Sequence, residues 1–384
     1  MGSCHSTLDI RYIFVVKTIE SAKNFLFRIL GRNASCDVIS IVSDEQAYIA
    51  EFVHHYLYLG FSNIYLGINN SSDRTYAIIH KISEKYKNVI PINVDKQFWL
   101  GRQEACYMHL FELARQSSLS SHALFVDVDE FWVADPFPKK VSEFLAGKEQ
   151  YDCISFSWIN CFDEKAFSPP LTKCKRKVNP HVKSIVAYKS AVLTLRPHAP
   201  VFRKGRNIRT LAGIQRNQNQ ICTDLGVEIC QKLQDESIAK PRQRNLAWVF
   251  HRIQRSELEY TCRLFKVHAN ETQEQPYFKS NRPGFRTPNI EKKFKKAYRK
   301  ILPNEQIFIY HLSLSEFLKA NGIESLVTDS ILEMSEEQLW IKIKSIPQEV
   351  ISRDFELIKR IFSGTRFREW LLQCLNRNNS TRNI

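Results

Sequence analysis

The chain has 384 residues, 43% of them apolar and 25% charged, and a formal net charge of +15. That length allows one large domain or two of ordinary size, and the composition excludes a disordered chain. No stretch reaches the ~20 apolar residues that a membrane span requires. Lysine and arginine gather at 173–177, 203–209 and 292–300. Such a surface suits phosphorylated ligands, anionic lipid headgroups, acidic glycans or nucleic acid, and charge alone does not choose among them. The ten cysteines form no Cys-x-x-Cys pair, which favours free, mostly buried thiols in a reducing compartment.

In chain order, Met1-Gly2-Ser3-Cys4-His5-Ser6 fits an N-acylation pattern. The segment 11–32 reads as an amphipathic helix, suited to an anionic membrane or to packing on the domain. From Asp37 the pattern becomes regular. Val38 to Val42 reads as a buried strand, and Ile49, Phe52, Val53, Tyr56 and Leu57 recur at helical spacing until Gly60. Strands are expected over 64–66, 89–94 and 123–126, with helices around Ile78 to Ile82 and over 103–115. This alternation argues for an α/β fold with a mostly parallel sheet flanked by helices. Ligands of such sheets bind beyond the carboxyl ends of the strands. Further on, 154–158 and 184–195 read as strands, the polar stretch 211–244 shows no clear period, and helical spacing returns at 313–320 and 355–374. The tail 376–384 is polar and expected to fray.

The sharpest signal is Leu124-Phe125-Val126-Asp127-Val128-Asp129-Glu130-Phe131. Two carboxylates separated by one residue, directly after a buried strand, can grip a divalent cation that bridges a diphosphate; hard oxygen ligands suit Mn2+ or Mg2+. A purely structural role would make both aspartates turn residues, a task that Asp135-Pro136 performs more naturally. His54, His55 and His80 fall on expected helices and read as structural.

Ser43-Asp44-Glu45 through Gly60-Phe61, Ile64-Tyr65, Asn69 to Asp73 and Phe125 to Phe131 together resemble the family-2-like glycosyltransferases. More narrowly, they resemble the subgroup related to the domain-of-unknown-function-23 and family-92 enzymes. Looser matches continue at Lys183 to Val186 with His198, at His251 to Tyr260, and at Asn281 to Phe285. The resemblance implies a GT-A (Rossmann-like) fold, a nucleotide-diphosphate sugar donor, a glycan or lipid-linked acceptor, a divalent metal, and inversion at the anomeric carbon. Carried over by position, Glu45 and Asp73 meet the nucleotide, Asp127 the ribose or sugar, and Asp129 the metal. Asn69 and Lys183 join the donor site, and His198 or His251 completes the metal shell or touches the phosphates. The chain departs from the pattern at Ile68, Phe52 and His55-Tyr56, and Cys161-Phe162-Asp163-Glu164 replaces a glycine- and serine-rich stretch.

The reaction also needs a base for the acceptor hydroxyl, and only Asp163 and Glu164 offer themselves. A division follows: an N-terminal segment 1–36, a nucleotide-sugar half 37–150, an acceptor half 151–323 and a helical extension 324–384. Peripheral association with the cytoplasmic face of an anionic membrane fits the charge. Two other readings compete. Haloacid-dehalogenase-like phosphatases also use Asp-x-Asp, but near the start of the domain. A nucleic-acid-binding protein would use the basic aromatic stretch 285–298, though no known module is visible and no specific nucleic acid is expected.

Overall fold

The computed structural model describes residues 34–162, 165–172, 174–198, 200–203, 210–212, 247–265, 277–286 and 302–381. The expected amphipathic segment 11–32, the acylation motif, most of 211–244 and the basic cluster 292–300 lie outside these residues.

The first half alternates as expected: β1 (Cys36–Val42), α1 (Ile49–Tyr58), β2 (Ile64–Ile68), α2 (Thr75–Lys85), β3 (Val89–Asn93), α3 (Asp95–Ser117) and β4 (His122–Phe125). Then follow β5 (Glu130–Ala134), α4 (Val141–Leu145), β6 (Cys153–Phe162), β7 (Lys175–Ala187), β8 (Val192–Leu195), β9 (Pro200–Phe202), β10 (Thr210–Ala212), β11 (Ala247–His251) and α5 (Glu257–Leu264). The helical C-terminal region comprises α6 (Asn304–Ala320), α7 (Glu324–Leu332), α8 (Glu336–Lys344), α9 (Gln348–Arg353), α10 (Phe355–Ile361) and α11 (Arg368–Thr381). The expected helix over 103–115 is the second part of α3, which begins after a break at Gly101 and Arg102, both non-helical, and runs on to Ser117. The stretch 184–195 divides into β7 and β8, and 355–374 into α10 and α11. The polar tail is helical as far as Thr381 rather than frayed from 376.

Among the described residues nine strands form one sheet in the order β3-β2-β1-β4-β7-β6-β11-β5, with β10 on β6. Strands β1 to β4 are mutually parallel, while β7 pairs antiparallel with both β4 and β6, and β5 antiparallel with β11. The sheet is therefore mixed but mostly parallel, the arrangement expected of a GT-A-like fold, and it runs without a break across residue 150. Val126 to Asp129 links β4 to β5 although β7, β6 and β11 intervene in the ladder, so the sheet curls. No helix of the described residues is long and apolar enough to cross a membrane.

Period-2 alternation places the two faces of β1 in different cores. Val38 and Val42 face a layer built with α1, α2 and α6, and Ile39 and Ile41 face α3. Gly60 ends α1 as its sequence position suggests. Its φ of +76° admits glycine freely, and Gly60 N–H to Leu57 O (3.0 Å) and Phe61 N–H to Tyr56 O (3.1 Å) close the helix. The seven cysteines of the described residues are free thiols, four of them buried.

Helix α6 returns to cover α1. His55 Nε2–H donates to Trp132 O (2.8 Å), and its Nδ1 accepts from Tyr310 OH (3.1 Å). His54 Nε2 meets Ser313 Oγ at 3.0 Å. Both histidines are structural, as their helical placement suggested. Burial lowers the pKa of His54 to about 4 and that of His55 to about 3. The unfolded chain binds these protons near pH 6.5 and the folded chain only well below it, so acid favours unfolding. The urea midpoint should therefore fall as pH drops from about 6.5 to about 4. A midpoint unchanged over that interval would contradict the assignment of both rings as buried and neutral.

Candidate active site

The turn after β4 forms where the sheet's parallel strands end. Glu130 N–H bonds to Asp127 O (2.9 Å), and Asp127 N–H bonds to the Glu130 carboxylate (2.9 Å). This reciprocal pair fixes the two aspartates, with one residue between them, at the carboxyl edge. Asp127 is held from below: Lys183 Nζ lies 2.9 Å from its Oδ2 and 3.2 Å from Glu130 Oε2. Tyr107 OH donates to Asp127 Oδ1 (3.0 Å), with Gln103 Nε2 at 3.4 Å. Gln103 and Tyr107 are four residues apart and so share a face of α3.

Lys183 and Glu130 are fully buried, whereas the Asp127 side chain is 36% exposed. Burial favours the uncharged amine at Lys183, yet Asp127 and Glu130 more than reverse it and hold the ammonium above the ordinary lysine range. Burial also pushes Glu130 up. Lys183 opposes this, while Asp127 and Asp129 add to the rise. One ammonium thus serves two carboxyl groups.

Asp129 faces a second group of side chains. Arg263 Nη1 lies 3.2 Å from its Oδ2, and His251 Nε2 lies 3.6 Å from its Oδ1. Burial works against the Asp129 carboxylate, but His251, Arg263, Arg255 and Arg282 together hold it below the usual carboxylate range. His251 is pushed down to about 4 by burial, against the pull of Asp129 and Asp127, so its imidazole is neutral near pH 7. Arg263 is positioned by a capping box at the start of α5. There Ser256 Oγ accepts from Glu259 N–H, and the Glu259 carboxylate accepts from Ser256 N–H.

The expected metal can be set against this geometry. A neutral imidazole nitrogen and a carboxylate oxygen that face one another beyond hydrogen-bond reach suit two ligands of one cation. Among the described residues no group of three or more His, Cys, Asp or Glu converges. In the expected site Asp129 Oδ1 and His251 Nε2 would be the protein ligands of a cation of the Mg2+ or Mn2+ kind, with phosphate and water filling its other positions.

The other expected site residues are placed as follows. The Glu45 carboxylate lies 3.6 Å from Arg255 Nη2, whose guanidinium sits 3.4 Å over the Tyr48 ring. Asp73 has both oxygens on backbone N–H groups, of Thr75 (2.8 Å) and Gln46 (3.1 Å), and so ties the loop after β1 to the start of α2. Asn69 is buried where β2 ends, its N–H bonded to Val42 O (2.9 Å). Lys183 reaches Asp127 from inside the fold. The His198 ring packs against Trp158 and His181. Asp163 and Glu164 lie outside the described residues. Tyr107, Arg263 and His181 were not anticipated. A signal for Arg263 existed, since Ser256-Glu257-Leu258-Glu259 is a capping-box sequence.

Removing Lys183 leaves two carboxyl groups without their buried cation. Lys183→Met should destabilise the fold by about 3–5 kcal/mol in urea denaturation. Adding Glu130→Gln should restore part of that loss. An unchanged midpoint in the single variant would contradict the assigned role.

No family model matches the chain, and no curated protein matches it in sequence. Partial similarity to solved structures exists. HddC from Yersinia pseudotuberculosis is 11% identical over 40% of this chain and 77% of that one, with a TM-score of 0.26. A mycobacterial protein is 12% identical over 62% and 71%, with a TM-score of 0.29. The galactosyltransferase LgtC, in complex with donor and acceptor sugar analogues, is 13% identical over 40% and 58%, with a TM-score of 0.22. Likenesses this remote bear on neither activity nor ligand.

Proposed function

We propose that the protein is a glycosyltransferase that moves a sugar from a nucleotide-diphosphate donor to a glycan or lipid-linked acceptor. The observation that carries this reading is the pair of aspartates at the carboxyl edge of β4, one braced by a buried lysine and the other set between a neutral histidine and an arginine. The Asp127 carboxylate is both fixed by a fully buried ammonium and partly open to solvent, as a ligand-orienting group must be. In this reading Asp127 orients the ribose or sugar hydroxyls, and Lys183 and Tyr107 fix its direction. Asp129 and His251 hold the divalent cation, which supplies charge neutralisation for the departing diphosphate when bound. Arg263 adds a fixed positive charge beside it. Glu45 and the Asn69 to Asp73 loop, on the neighbouring strand ends, border the nucleotide. Displacement from the face opposite the diphosphate gives inversion.

The test is a survey of nucleotide sugars, with release of free nucleoside diphosphate as the readout. Turnover of one donor in the presence of Mn2+ or Mg2+ is expected. Chelation of the metal should abolish it, and Asp129→Ala should lower it by about 100-fold or more. Absence of turnover across UDP-, GDP-, CDP- and dTDP-sugars by the folded protein would contradict the reading.

A further inference from the structure

The ladder between β6 and β7 is regular except at one step. Ser157 pairs with Val182 and Trp158 with Asn179. One step on β6 thus spans three on β7, which leaves Pro180 and His181 as two extra residues. Proline has no N–H to give a ladder, and bulges beside active sites re-aim side chains. Here the re-aimed side chain is His181.

Its ring lies on the Trp158 indole, with centroids 5.0 Å apart and planes 19° apart. The same indole contacts His251 at 4.2 Å, and Lys183 Nζ lies 6.0 Å from its centre. His181 is therefore one aromatic ring removed from the Asp129–His251 pair, and it shares a strand with the lysine that braces Asp127. Trp158 is only 6% exposed, whereas His181 is half-buried and open to solvent. The Asn179 side-chain oxygen receives both the His181 backbone N–H (2.9 Å) and Nδ1 (2.6 Å). A carbonyl oxygen can only accept, so Nδ1 carries the proton and Nε2 presents a lone pair. Burial lowers the His181 pKa from the ordinary histidine value.

We infer that His181 is the general base for the acceptor hydroxyl, positioned by the β7 bulge, the Trp158 face and the Asn179 side chain. The inference rests on the glycosyltransferase reading above. In the step, the acceptor O–H proton passes to His181 Nε2 as the oxygen bonds to the anomeric carbon. The bond from that carbon to the diphosphate oxygen breaks, and the nucleoside diphosphate leaves with the electron pair. The imidazolium then returns its proton to solvent. Trp158 and Asn179 act as positioning residues.

The test uses the full chain and hydrolysis of UDP-glucose, UDP-galactose and GDP-mannose, with water as the acceptor. For the donor that wild type turns over, His181→Ala should lower kcat by about 100-fold or more, with little change in donor KM. Added imidazole should restore part of the rate, because it fills the vacated volume with the same base. His181→Gln, which keeps a hydrogen-bonding group beside Asn179, should lose activity likewise and gain nothing from imidazole. A His181→Ala variant as active as wild type overturns the inference and leaves the glycosyltransferase reading standing. Activity lost while donor KM is retained, with no imidazole rescue, overturns it too and makes His181 structural. A folded wild type that hydrolyses none of the three and releases no diphosphate in the wider survey overturns the underlying reading and the inference with it.

Discussion

A fully buried ammonium between two carboxyl groups is the constraint on which the site depends. Lys183 lies where water cannot solvate it, and isolated charge there would be very costly. Its compensation comes from Asp127 and Glu130 at 2.9 and 3.2 Å. Those carboxyl groups come from the turn that ends β4 and from the first residue of β5, so the lysine ties the outer strand to the middle of the sheet. The same contact fixes the direction of Asp127, whose remaining face is open. The stability of the turn and the direction of Asp127 thus rest on one interaction. In the proposed function a lysine which never meets solvent would in this way bear on chemistry beyond the sheet.

The second aspartate is treated differently. Asp129 is set among other cations. It is faced by Arg263 from α5, by a neutral imidazole from β11, and at longer range by Arg255 and Arg282. These partners come from the later part of the chain, where the capping box sets α5 and the Glu51–Arg252 pair (2.7 Å) ties the segment back to α1. The excess of cations over carboxylates around Asp129 suits an anionic ligand. Lys279, lowered to about 8 by burial and by Arg282 and Arg263, feels the same crowding. Neutralisation by a diphosphate would relieve it.

Much of the first half was legible in the sequence. Short apolar runs located β1 to β4 and the 3.6 period located the three intervening helices, because the strands are covered on both faces and the helices on one. The Asp-x-Asp loop was legible for the same reason: carboxylates directly after four apolar strand residues must emerge at a strand end. What remained hidden depended on pairing between distant segments. The stretch from Glu130 to Ala134 follows the motif without a turn signal, and its pairing with β11 could not be read locally. Lys183 was placed among donor residues by resemblance, whereas its depth beneath Asp127 follows from the register of β7. His181 was invisible because a bulge is a mismatch between two strands, and one strand alone does not display it. The break at Gly101-Arg102 leaves the helix carrying Gln103 and Tyr107 where the sequence placed it, and only the turns that precede it from Asp95 were missed.

The most direct test of the central claim, that the Asp127–Asp129 edge seats a nucleoside diphosphate, is calorimetric titration of UDP and GDP into the folded protein. It should be run with and without Mn2+, on wild type and on Asp129→Asn. One nucleotide should bind, binding should require the metal, and the variant should lose it while its fold is retained. Binding of neither nucleotide to folded wild type, or equal binding by the variant, would contradict the claim.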